Sequence, residues 1–136
     1  MQKIKNILSI ILILFLLTCN FILADPPNWD ENGDGVLDNY NDYENNGSVT
    51  SKVYAGDTDY GTLGDMTAAF VNGEQRGVAL AAEIPAFLGE GYAFLMMIYS
   101  NATSGENLTF QFYDQSEDEV HFLSESLEFI SNMVVG

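Results

Sequence analysis

From Gly47 onward, apolar and polar residues alternate in short runs of period two, broken by turn residues. That is the signature of half-buried β-strands. In Ser48–Tyr54, Val49, Ser51 and Val53 share one face and Thr50, Lys52 and Tyr54 the other. Runs at Thr67–Val71 and Gln75–Ile84 flank Asn72-Gly73, a dipeptide that accepts the positive φ angles of a two-residue hairpin turn. Tyr92–Tyr99 is almost wholly apolar and reads as a central strand covered on both faces. Further alternation places Leu108, Phe110 and Phe112 inward, then Val120 and Phe122, then Leu127 and Phe129, with His121 turned away beside Glu119.

These segments predict about seven to eight strands in residues 47–136. The fold class expected is all-β, a two-sheet antiparallel β-sandwich. Its inward set is Val49, Val53, Phe70, Val78, Leu80, Phe94, Met96, Ile98, Phe110, Phe112, Val120, Phe122, Leu127 and Phe129. At about 2 kcal/mol per large buried side chain, such a set offsets much of the ordering entropy without a covalent cross-link. Residues 25–46 differ in texture: they are polar, acidic and rich in Asn, with Pro26, Pro27, Gly33 and Gly35. They form a leader rather than part of the β pattern.

Residues 1–24 read as a signal peptide, with Lys3 and Lys5 before an apolar run from Ile7 to Leu17 and a small residue, Ala24, at the cleavage position. The apolar run is short for a membrane span. Cys19 offers a rival reading as a lipid-modified cysteine, although Thr18 precedes it where a smaller residue is usual. The expectation is a secreted or cell-surface protein with no membrane span in the mature chain. Cys19 is the one cysteine in the chain, so residues 25–136 hold no disulfide.

Charge sharpens this picture. All 20 acidic residues fall in 25–136 but only two bases, Lys52 and Arg76, for a formal charge of −18 there against −16 for the whole chain. A surface of that sign has no cations with which to displace the counterions of nucleic acid, which excludes it as a partner. It also disfavours anionic membranes and suits neutralisation by divalent cations.

One motif states a chemistry. In Asp30-Glu31-Asn32-Gly33-Asp34-Gly35-Val36-Leu37-Asp38, oxygen side chains occupy alternate positions, which is how a chain wraps a Ca²⁺ ion with six to eight hard ligands. Asp30, Asn32 and Asp34 stand at loop positions 1, 3 and 5; Gly35 permits the sharp turn; Val36 offers its carbonyl; Asp38 stands at position 9. Leu37 points the other way, as an anchor. Position 12, where a Glu or Asp completes the coordination, holds Asn41, with Asp42 next. A weaker site, or closure by Asp38 or Asp42, is the expected consequence.

This loop resembles the calcium loops of dockerins and thrombospondin type 3 repeats, and resembles less a paired EF-hand, because Pro26-Pro27 block an incoming helix and no second loop follows. A second resemblance rests on Gly64–Val71, Glu74–Ala79, Ile98–Asn101 and Phe110–Asp114. They are similar to a β-sandwich module found in secreted multidomain proteins of bacteria. That module has no established activity, so the resemblance implies location and fold and assigns no functional residue.

Catalytic chemistry finds little support. The single histidine has no cysteine partner, no G-x-S-x-G elbow surrounds Ser124 or Ser126, and no carboxylate pair is singled out. A zinc or copper site is not expected from one His. Asp114–Glu119 is expected to be an exposed hairpin turn, a second calcium site there being the minority reading because the glycine and alternate spacing are missing, and Asp65 and Arg76 are expected to pair across the Asn72-Gly73 hairpin. The functional expectation is a secreted, calcium-binding, non-enzymatic module with a structural or binding role, its partners calcium and a carbohydrate or another surface protein. Alternatives are a carbohydrate-binding module using Trp29, Tyr40, Tyr43 and Tyr54, and a glycan-active hydrolase fragment.

Overall fold

A computed structural model describes residues 25–136; the signal-peptide expectation for 1–24, with Cys19, lies outside the described residues. The architecture is all-β. A 3-10 turn, Tyr40–Asp42, precedes nine strands: β1 Asn45–Ser51, β2 Tyr54–Ala55, β3 Thr58–Asp59, β4 Met66–Val71, β5 Glu74–Glu83, β6 Tyr92–Ser100, β7 Ser104–Asp114, β8 Glu119–Ile130 and β9 Val134–Val135. Seven of them form one sheet in the order β8-β7-β4-β5-β6-β1-β9, and β2 and β3 make a separate small hairpin. Where two stacked antiparallel sheets were expected, one large sheet curls on itself. It is mixed, because β9 lies parallel to β1.

Turn chemistry was legible. Asn72 and Gly73 take φ of 50° and 83°, and Val71 pairs directly with Glu74, as a two-residue hairpin of the primed type requires. The curl is laced at one end by the segment after β8. There Asn132 N donates to Asn46 O at 2.8 Å, and Ser131 Oγ bonds Asn45 Oδ1 at 3.0 Å.

The inner face encloses the main core: Val49, Val53, Ala69, Ala79, Phe94, Met96, Ile98, Leu108, Phe112 and Phe129. Close backbone approach on this face explains Gly77, where an added Cβ would stand 2.5 Å from the Met97 carbonyl oxygen. The outer face carries a second cluster, in which Trp29 covers Ala68, Phe70, Val78 and Tyr113. Phe70 and Val78 are therefore buried as expected, but on the opposite face from Phe94 and Phe112. Leu80, expected inside, is 38% exposed on that outer face.

Two expectations about single strands fail for reasons of parity. On β6 only alternate residues are buried, and Leu95 is 62% exposed, so this strand is covered on one face rather than both. On β8 Val120 and Phe122 point outward, Phe122 with 82% exposure, while Phe129 is fully buried. The β7–β8 register passes from Thr109↔Ser126 to Gln111↔Phe122. That irregularity adds two residues on β8, an even number, so odd-numbered side chains stay inward along its whole length. His121 is therefore on the inner face, directly opposite Phe112.

Candidate functional sites

The leader folds across the outer face of the sheet. Trp29 is 8% exposed and Leu37 is 3% exposed, one at each end of the acidic loop. The indole meets Phe70 edge-on at 6.0 Å between centroids, and the Trp29 carbonyl accepts from Gln75 Nε2 at 2.7 Å. Between these anchors the backbone turns through Gly33 and Gly35, both with φ near +75° (75° and 74°), a region costly for a residue with a Cβ. Gly35 also lies close against Leu80, whose Cγ would be 3.5 Å from an added Cβ.

Within the loop the Asp30 carboxylate is the hub. It accepts from Gly33 N at 2.9 Å, Asp34 N at 3.2 Å and Gly35 N at 2.7 Å. Asn32 Oδ1 takes Asp34 N at 3.0 Å, Asp34 Oδ1 takes Val36 N at 2.9 Å, and Asp38 Oδ2 reaches back to Glu31 N at 3.0 Å. These bonds leave free lone pairs on the carboxylates, and the donor set is all hard oxygen, which fits Ca²⁺. The closing positions diverge. Asn41 is exposed in the 3-10 turn, and Asp42 is engaged by Asn39 Nδ2 at 3.3 Å, with its carbonyl held by Asn101 Nδ2. Of the two rivals for closure, Asp38 is the one that folds back on the loop.

Arg76 and Asp65 do not pair. Arg76 is the extra residue at the β4–β5 irregularity between Ala69↔Gly77 and Phe70↔Gln75, and its guanidinium grips Glu106 with two 3.0 Å bonds. Ser100 Oγ also donates to Glu106, and the Tyr43 ring lies 5.1 Å from the guanidinium carbon. Asp65, 1% exposed, instead accepts from Thr62 N, Thr62 Oγ1 and Gln115 N at 2.7, 3.0 and 3.0 Å. Asp65 joins the loop before β4 to the β7–β8 turn, and Arg76 closes the other end of the sheet. Both are structural clamps. Of the four aromatics offered by the carbohydrate-binding alternative, Trp29 is buried and Tyr43 lies between Arg76 and Tyr99, while Tyr40 and Tyr54 are exposed.

The β7–β8 turn holds the arrangement that the strand-parity error concealed. Asp114 Oδ1 accepts from Ser116 N, Ser116 Oγ and Glu117 N at 2.8, 2.7 and 3.2 Å. Burial pushes the Asp114 carboxyl up, but hydrogen bonds from Ser116, Glu117 and Tyr60 outweigh it and leave the group below the ordinary carboxylate range. The Tyr60 phenol, in turn, is raised chiefly by the charge of Glu117, then by burial and Asp114. His121 stacks on Phe112 at 6.2 Å, and its Nε2 is sealed from solvent without a hydrogen-bond partner. Among the described residues, one set of acidic, cysteine or histidine side chains brings an atom from each of three residues within 4.8 Å of one another: Asp114, Glu117 and His121. Asp30, Asp34 and Asp38 do not converge to that degree. The signal for His121 was present in the odd numbering it shares with Leu127 and Phe129; Tyr60, in the loop after β3, left none.

The chain matches no protein-family model, and no curated protein or solved structure matches it. Among the described residues no helix is long and apolar enough to cross a membrane.

Proposed function

We propose that this chain is a secreted, non-catalytic β module whose acidic leader is held on the sheet by Ca²⁺, with a structural or binding role in an extracellular assembly. The observation that supports it is the anchoring of the loop at both ends. Trp29 buries on the sheet at one end and Leu37 is buried at the other, so an ion that orders Asp30–Asp38 also orders the indole cover of Phe70 and Val78. Metal-binding free energy then becomes folding free energy for a segment with little core of its own. An ion present at a hundred times its dissociation constant adds about 2.7 kcal/mol.

The test is thermal melting of the purified protein with CaCl₂ and with EDTA. Calcium should raise the melting temperature, and Asp34→Ala should remove the difference while leaving the melt in EDTA nearly unchanged. Equal melting in calcium and EDTA would remove the reading.

A further inference from the structure

We propose that the β7–β8 turn is a second, chemically different cation site, in which Asp114, Glu117 and His121 bind a zinc-like first-row divalent ion. The three side chains come from the end of β7, the turn and β8. One atom from each lies within 4.8 Å of the others. Ligands of one tetrahedral zinc-sized ion, each bonded at about 2.1 Å, stand about 3.4 Å apart, so the exposed Glu117 side chain must swing inward by about an ångström to close the site. Two of the three are already fixed. Asp114 is 5% exposed and held by the turn; the His121 ring is held flat on Phe112, with an interplanar angle of 27°.

The independent sign of a ligand is the state of His121. A buried ring nitrogen that bonds to nothing loses its hydration without recompense, at about 1–3 kcal/mol. His121 Nε2 is in that state. No hydrogen bond joins His121 to Asp114 or Glu117, although a carboxylate oxygen of each lies within 4.8 Å of a His121 ring nitrogen. Close but unbonded acceptor atoms are what a shared cation leaves between its ligands.

The donor types select the ion. Imidazole suits zinc, nickel and iron, whereas Ca²⁺ takes oxygen; the leader loop is all oxygen and this set is not. The same run of sequence carries Asp118 and Glu119, while Lys52 and Arg76 are paired elsewhere, with Asp59 and Glu106, so the local charge is negative and favours a cation. Tyr60, Phe112 and His121 also line a cleft of about 400 Å³ with Val53, Tyr54 and Phe122. Three protein ligands leave a fourth position for water, and of the three only His121 reaches the cleft.

His121 is the only histidine in the chain, so its imidazole resonances report the site alone. The experiment is a ¹H–¹⁵N titration of the purified protein with ZnCl₂, with a parallel CaCl₂ arm. The expected result is saturation of the His121 signals at one Zn²⁺, reversal by EDTA, and no response to equimolar Ca²⁺. Glu117→Gln, at an exposed side chain, should weaken Zn²⁺ at His121 at least tenfold while leaving the metal-free melt unchanged. Asp34→Ala should leave the titration as it was, which separates this site from the leader loop. The proposal is overturned if Zn²⁺ does not move the His121 signals, if Ca²⁺ moves them equally, or if Glu117→Gln binds Zn²⁺ as tightly as the native chain.

Discussion

Trp29→Ala is the substitution that most directly tests how the leader is held. The indole is 8% exposed and covers Phe70 at 6.0 Å. Truncation to alanine removes roughly 150 Å² of buried apolar surface, which at about 25 cal/mol per Å² is roughly 4 kcal/mol. Large-to-small core changes at Trp run from about 3 to 5 kcal/mol, so the area and the precedent agree. The inner core, from Val49 to Phe129, does not include Trp29. The variant should therefore fold, but melt lower by roughly 12–24 °C, at about 3–6 °C per kcal/mol for a domain between the 60–100 and 150–250 residue classes. Far-ultraviolet circular dichroism measures the melt, since the variant lacks the fluorophore. Limited proteolysis should find new cleavage between residues 30 and 44, and Trp29→Phe should recover part of both effects. A melting temperature within about 2 °C of native, with the leader still protected, would refute the claim that the indole anchors it.

Other substitutions probe the rest of the frame. Arg76→Met should cost about 2–3 kcal/mol in urea denaturation, because Glu106 loses both guanidinium bonds while three-quarters buried (25% exposed); Glu74→Gln, at a 62% exposed partner, should cost almost nothing. Gly77→Ala should destabilise by more than about 2 kcal/mol or prevent folding, since its methyl would press on the backbone oxygen of Met97; normal expression and melting would contradict the close approach. The lowered Asp114 carboxyl gives a pH test. Because its folded value lies below the ordinary 3.8, its contribution is complete above that pH and is lost as pH falls through the folded value. Stability measured from pH 5 down to 2 should therefore fall less steeply in Asp114→Asn than in the native chain, and equal slopes would count against the turn bonds.

The strands were legible because period-two alternation and turn residues are local properties. The hairpin at Asn72-Gly73 needed nothing beyond its own two residues. Errors arose wherever a decision depended on a partner. Val120 and Phe122 look as apolar as Leu127 and Phe129, and only the even-numbered slip in the β7–β8 register decides which pair is inside. Arg76 was matched to Asp65 by nearness in sequence, whereas a β4–β5 irregularity gives it to Glu106, thirty residues on. The run of oxygen donors from Asp30 to Asp38 is visible in the sequence because its members are consecutive. The Asp114, Glu117 and His121 cluster could not, because it depends on which way β8 faces.

By itself, then, the sequence determined the all-β class, the acidic leader set apart from the strands, and the run of hard-oxygen donors within it. Composition and short-range periodicity suffice for these. Only the tertiary structure decided that a single sheet curls around the core, that Trp29 closes its outer face, and that the one histidine turns inward beside two carboxylates. Those outcomes rest on register and curl, which place residues far apart in the chain within ångströms of one another and leave no mark in any one segment.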